Sequence, residues 1–155
     1  IMLIHASIPA REPDQAAAVI ARMWQAEAMP FPPVPGAWIV FAGDERGTQL
    51  EIYPAEVALV PGPAEVAGAA MDAAAPTGVH IAIAVPHEAD AVIALAAAAG
   101  WTARVCNRGG LFDVVEVWVD DRFMIEALTP AMQQDYVAAM TPANWRQAFG
   151  LDEAA

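Results

Sequence analysis

Apolar and polar residues alternate with period two over Met2–Ile8. Ile4, Ala6 and Ile8 fall on one side, and Leu3, His5 and Ser7 on the other. That alternation predicts a half-buried strand. A helix follows from Glu12-Pro13-Asp14 to about Ala26, because Pro suits a first helical turn and acidic residues suit the N-terminal end. Met29–Pro35 carries too many prolines for a helix or a central strand. Ala37–Ala42 and Thr48–Tyr53 read as a hairpin around the turn Gly43–Gly47. Pro54–Gly78 loses this periodicity and reads as a connector, with a short strand near Val57–Val60.

The plan then starts again. Val79–Val85 is a strand, with Val79, Ile81, Ile83 and Val85 opposite His80, Ala82 and Ala84. A helix opens at His87–Asp90, where His87 reads as solvated, and stops at Gly100. Thr102–Cys106, Asp113–Val119 and Phe123–Leu128 are strands, joined by turns at Asn107–Gly110 and Asp120–Arg122. Val115, Val117 and Val119 mark a core side, which puts Glu116 and Trp118 on the other side, where Glu116 either lines a groove or sits at its rim. Ala131–Met140 and Thr141–Phe149 are terminal helices. The first should pack through Met132, Tyr136, Val137 and Met140 on the outside of a sheet or at a subunit interface.

Composition narrows the setting. The chain is 57% apolar, but much of that is alanine, and the mean hydropathy of +0.38 reflects it. The longest uncharged, proline-free run, Ala91–Ala103, is too short to span a bilayer. A net charge of −12 without a single Lys argues against nucleic acid, whose phosphates need a basic face. Cys106 is the only cysteine, so no disulfide or cysteine zinc site can form within the chain. Met2-Leu-Ile-His enters a strand with no charged-then-apolar leader, so the expected location is cytoplasmic, with no membrane partner.

The repeat has a chemical signature. His5 and Glu51 are 46 residues apart, as are His80 and Glu126, and the second pair is the first shifted by 75 residues. The chain has only three His, and two of them fall in this register. A lone His or Glu in an apolar strand is ordinarily a satisfied core or surface residue. Two of each at matched offsets, each on a strand face with small neighbours such as Ser7, Ala82 and Ala84, read instead as one site built from an internal duplication. Buried carboxylates in such strands are costly unless a cation compensates them.

These residues resemble the vicinal oxygen chelate superfamily, which includes glyoxalase I, extradiol dioxygenases, fosfomycin resistance enzymes and bleomycin-binding proteins. The resemblance covers roughly residues 2 to 128 and is most like glyoxalase I in ligand pattern. It implies an α+β fold of two tandem βαβββ modules forming a U-shaped mixed-sheet trough, with C-terminal helices. The expected boundaries are a first module at 1–54, a connector at 55–78, a second module at 79–130 and a helical tail at 131–155. It implies His5, Glu51, His80 and Glu126 as ligands of a divalent metal (Ni, Zn, Co, Mn or Fe). It also implies a metal-dependent lyase or isomerase acting on a small substrate with adjacent oxygens. Glu126, then Glu51, is the expected proton shuttle. The site completes either in the monomer or across a homodimer. The alternative is a non-enzymatic small-molecule-binding or interaction protein on the same fold.

Overall fold

The computed structural model describes residues 5–45, 47–61, 66–71 and 78–150. The first alternating run becomes strand β1 (His5–Ala10), and its predicted start at Met2–Ile4 lies outside the described residues. Helix α1 (Pro13–Trp24) begins on Pro13, with Asp14 in its first turn and Arg22 in its last. It ends two residues short of the expected Ala26, because Gln25 turns left-handed at φ 55°. Strands β2 (Glu27–Pro30), β3 (Trp38–Phe41) and β4 (Gln49–Pro54) complete a four-stranded sheet of order β1-β4-β3-β2. The proline-rich stretch does contribute a strand. β2 pairs only with β3 and is the sheet's edge, the position where Pro30 is tolerated.

The connector is more ordered than its sequence suggested. It forms a separate hairpin of β5 (Val57–Pro61) and β6 (Val66–Ala70); the second of these strands was not anticipated. The second module follows: β7 (His80–Ala84), α2 (Ala89–Ala98), β8 (Thr102–Asn107), β9 (Asp113–Val119) and β10 (Phe123–Leu128). Its sheet order, β7-β10-β9-β8, repeats that of the first, and in each module the first and last strands are parallel neighbours. The three-residue β9–β10 connection, Asp120–Arg122, is tight because Asp120 and Asp121 both take positive φ (54° and 56°) and the Arg122 N–H donates to the Val119 carbonyl at 3.0 Å. The fold is therefore α+β, two βαβββ modules with C-terminal helices.

The modules share one core. Ile8, Val40 and Ile52 from the first sheet, Ile20 and Met23 from α1, and Val117 and Ile125 from the second sheet join one cluster with Val92 and Ala96 of α2. The small faces Ala16–Ala17 and Ala96 let the helices lie close to the sheets. Each buried Ile or Val contributes about 1.5–3 kcal/mol. Polar bonds fix the docking as well. The Arg11 N–H donates to Asp120 at 2.7 Å, and His87 Nε2 donates to the Arg22 carbonyl at 2.9 Å. His87 was expected to be solvated. It is instead half-buried and closes the C-terminal end of α1.

The tail differs from expectation. Helix α3 (Pro130–Ala139) is capped by Thr129 and packs on Phe112, Val114 and Leu128 through Met132 and Tyr136. By strand alternation Val114 shares a face with Glu116, and Leu128 shares one with Glu126. The helix therefore covers one end of the polar sheet face rather than its outside. Val137, expected to pack, is 72% exposed. Helix α4 (Pro142–Phe149) follows, capped by Thr141. Among the described residues no helix is long and apolar enough to cross a membrane.

Candidate functional site

The sheet faces opposite the core carry the polar residues. In the first module Glu51 lies in register with Ser7 on β1 and Ile39 on β3. It is only 8% exposed, and among the described residues it has no cationic partner. Two hydroxyls compensate it: Ser7 Oγ donates to Oε2 at 3.0 Å and Tyr53 OH to the same oxygen at 2.6 Å. Tyr53 in turn stacks on Phe31, ring centroids 6.1 Å apart. Burial pushes the Tyr53 phenol above its ordinary 10, and its bond to Glu51 adds to the rise, against a smaller opposite pull from Ser7.

The second module solves a harder problem. Glu126 lies directly opposite Glu116 across the β9–β10 ladder. Like charges so placed repel. Arg108, from the β8–β9 turn, bridges them. Its Nη1 donates to Glu116 Oε1 at 2.8 Å, and its Nε and Nη2 donate to Glu126 Oε1 at 2.9 and 2.6 Å. Arg104, the β8 register partner of Glu116, donates to Glu116 Oε2 at 3.1–3.2 Å, and Trp118 Nε1 donates to the same oxygen at 3.3 Å. Burial pushes the Glu116 carboxyl up, but hydrogen bonds from Arg108, Trp118, Cys106 and Arg104 outweigh it and hold the group at about 2. Ile39 holds the place across from Glu51 that Glu116 holds across from Glu126, so the first module needs no such cation.

The four residues of the duplicated signature share these polar faces. His5 is in register with Gln49, and His80 with Met124, so each His stands one pleat repeat, about 7 Å along the strand, from the residue beside its Glu. The duplication thus extends to strand register. Both His are exposed, and neither has a hydrogen-bond partner among the described residues. Among those residues no three His, Cys, Asp or Glu side chains gather closely enough to hold a metal. The donor chemistry nevertheless fits one. Among the described residues Glu51 Oε1 and Glu126 Oε2 each have no partner, while the other oxygen of each group is anchored, as an oriented monodentate ligand requires.

Two cavities are lined in part by β1. One, of about 380 Å³, is lined by His5 of the first module and by Ala82 and Ala84 of the second, and Ala82 is the register partner of Glu126. The other, of about 280 Å³, includes Ser7 and Tyr53 and is closed by the β5–β6 hairpin. Sequence reasoning placed Tyr53 on the Glu51 face and Glu116 with Trp118, but missed both arginines. The Arg104–Glu116 pairing follows from the β8–β9 register, which depends on the turn length. Arg108 had no signal beyond its place in a glycine-rich turn.

No known sequence family matches the chain, and no curated protein matches it by sequence. Its fold does have solved counterparts. Fosfomycin resistance protein FosX from Mesorhizobium loti superposes with a TM-score of 0.55 at 16% identity, over 86% of this chain and 95% of that one. FosX from Listeria monocytogenes, complexed with Mn(II) and a sulfate ion, gives 0.54 at 14% identity, over 88% and 96%. Lactoylglutathione lyase from Agrobacterium tumefaciens gives 0.50 at 15% identity, over 83% and 93%. All three are vicinal oxygen chelate proteins, and this chain has their fold.

Proposed function

We propose that the polar trough is the active site of a metal-dependent lyase or isomerase, glyoxalase-like in its chemistry, acting on a small substrate with adjacent oxygens. The observation that carries this reading is one cavity lined by His5 of the first module and by Ala82 of the second, the strand-register partner of Glu126. Small side chains at Ala82 and Ala84 leave room beside the His5 imidazole for a cation and a ligand. The FosX structure with Mn(II) supports the same reading through its fold. His5, Glu51, His80 and Glu126 are the residues that would hold the metal, drawn together from the two modules. When bound, a divalent cation polarises the substrate's paired oxygens as a Lewis acid.

The chain's own groups divide the remaining work. Arg108 clamps Glu126 through two charge-assisted bonds to one oxygen, which favours a fixed ligand. Glu51 is held only by neutral hydroxyls and is the freer of the two. In this reading Glu51, rather than Glu126, takes a proton from one substrate carbon and returns it to the neighbouring one, so that the isomerisation balances. Trp118 Nε1 and Arg104 hold Glu116 in place along the trough wall.

The test is thermal unfolding of untagged protein with Ni²⁺, Co²⁺, Mn²⁺ or Zn²⁺. At least one should raise Tm, and His5→Ala or Glu126→Gln should abolish the gain. A wild type indifferent to all four metals overturns the reading. It would favour a binding protein without turnover, which the Arg108–Glu126 ion pair already accommodates.

A further inference from the structure

The cavity of about 280 Å³ has a composition unlike the trough beside it. Its walls come from the ends of β1 and β4, from β5 with Met71, from Val79 before β7, and from the β9–β10 turn. Leu59, Met71 and Val79 line it and are 46%, 49% and 61% exposed, three of the chain's few exposed large apolar residues. An exposed apolar cluster around a cavity mouth marks a place where apolar surface is to be covered. Phe123 supplies a buried aromatic wall.

Two charged side chains line the same cavity, and they are not equivalent. Asp120 is committed to the fold, since its Oδ2 accepts the Arg11 N–H at 2.7 Å and ties the β9–β10 turn to β1. Arg122 is half-buried and makes no ion pair or side-chain hydrogen bond with any described residue. The chain's two other trough arginines, Arg104 and Arg108, are both consumed by carboxylates. An uncommitted guanidinium at an apolar cavity is complementary to an organic anion, because its fork of donors matches a carboxylate. At about 280 Å³ the space is close to the lower end of small-molecule sites and suits a short-chain ligand.

We propose that this cavity binds an amphiphilic monoanion, a carboxylate on a short aliphatic or aryl body. The head lies on Arg122, and the body lies between Leu59, Met71 and Phe123. None of the proposed metal ligands lines this cavity, although Ser7 and Tyr53, which hold Glu51, do.

The experiment uses the full chain carrying His5→Ala and Glu126→Gln, stripped of metal, so that failure here and failure of the metal reading are separable. Octanoate and octan-1-ol are titrated by calorimetry, and the Met71 methyl signal is followed by NMR. Octanoate should bind about tenfold tighter than octanol, one charge-assisted bond's worth, and should shift the Met71 resonance. Arg122→Gln should remove that preference and leave octanol binding unchanged. Leu59→Asp, at an exposed site that does not threaten folding, should weaken both ligands. Equal affinities in the parent, an octanoate affinity indifferent to Arg122→Gln, or a stationary Met71 signal overturns the proposal.

Discussion

Glu116 gives the sharpest test of how the second module is held together. It is 7% exposed, faces Glu126 across the ladder and receives bonds from two arginines and a tryptophan. Its carboxyl titrates at about 2 instead of 4.5. A depression of that size corresponds to about 3 kcal/mol of folding stability at neutral pH. The network opens onto solvent through Arg104, whose side chain is 66% exposed, so screening reduces this to on the order of 2 kcal/mol. Because the folded value lies below the unfolded one, the contribution is complete above pH 4.5. It is lost as pH falls through the window down to about 2. Glu116→Gln keeps the size and an acceptor for Arg108 but cannot titrate. Urea unfolding of both proteins from pH 7 to pH 2 should show a wild-type advantage of on the order of 2 kcal/mol that shrinks between pH 4.5 and 2. The other carboxylates titrate in both proteins, and Glu126 keeps Arg108 in the variant, so the difference isolates Glu116. Parallel stability curves across that window would refute the network as described.

Further outcomes follow from other parts of the structure. In an ultraviolet titration Tyr53 should ionise above 10, and Glu51→Gln should move that transition back down, because an accepting carboxylate is one of its causes. Tyr53→Phe should delete it, leaving only the other of the chain's two tyrosines. Gln25→Gly should raise stability by about 0.5 kcal/mol in thermal unfolding, since Gln25 is exposed and held at φ 55°. Ile125→Ala should lower stability by about 2–5 kcal/mol in urea, because Ile125 is fully enclosed in the shared core and leaves a cavity there.

Much of the fold was readable because strand alternation and repeat spacing are local or one-dimensional signals. The period-two runs marked β1, β4, β7, β9 and β10, and the repeated His and Glu spacing marked two copies of one module. The first module's edge strand β2 was obscured by prolines. Proline is hostile to a central strand and tolerable at an edge, and only the sheet order reveals which position a strand holds. The hairpin partner β6 was obscured for a related reason, since Val66–Ala70 is a short, alanine- and glycine-rich stretch whose strand state depends on pairing with β5.

The site divides along the same line. The sequence by itself determined that His5, Glu51, His80 and Glu126 point to the polar faces of their strands, because side-chain direction follows from parity alone. It also determined that the two halves repeat. The tertiary structure alone decided what each carboxylate meets: two hydroxyls at Glu51, and at Glu126 a second carboxylate bridged by Arg108. It alone laid α3 over one end of the polar sheet face and left Arg122 without an ion pair among the described residues, beside an apolar cavity. Parity sets a direction within one strand. A partner depends on register, turn length and the docking of one module on the other, and these are settled only when the distant segments pack together.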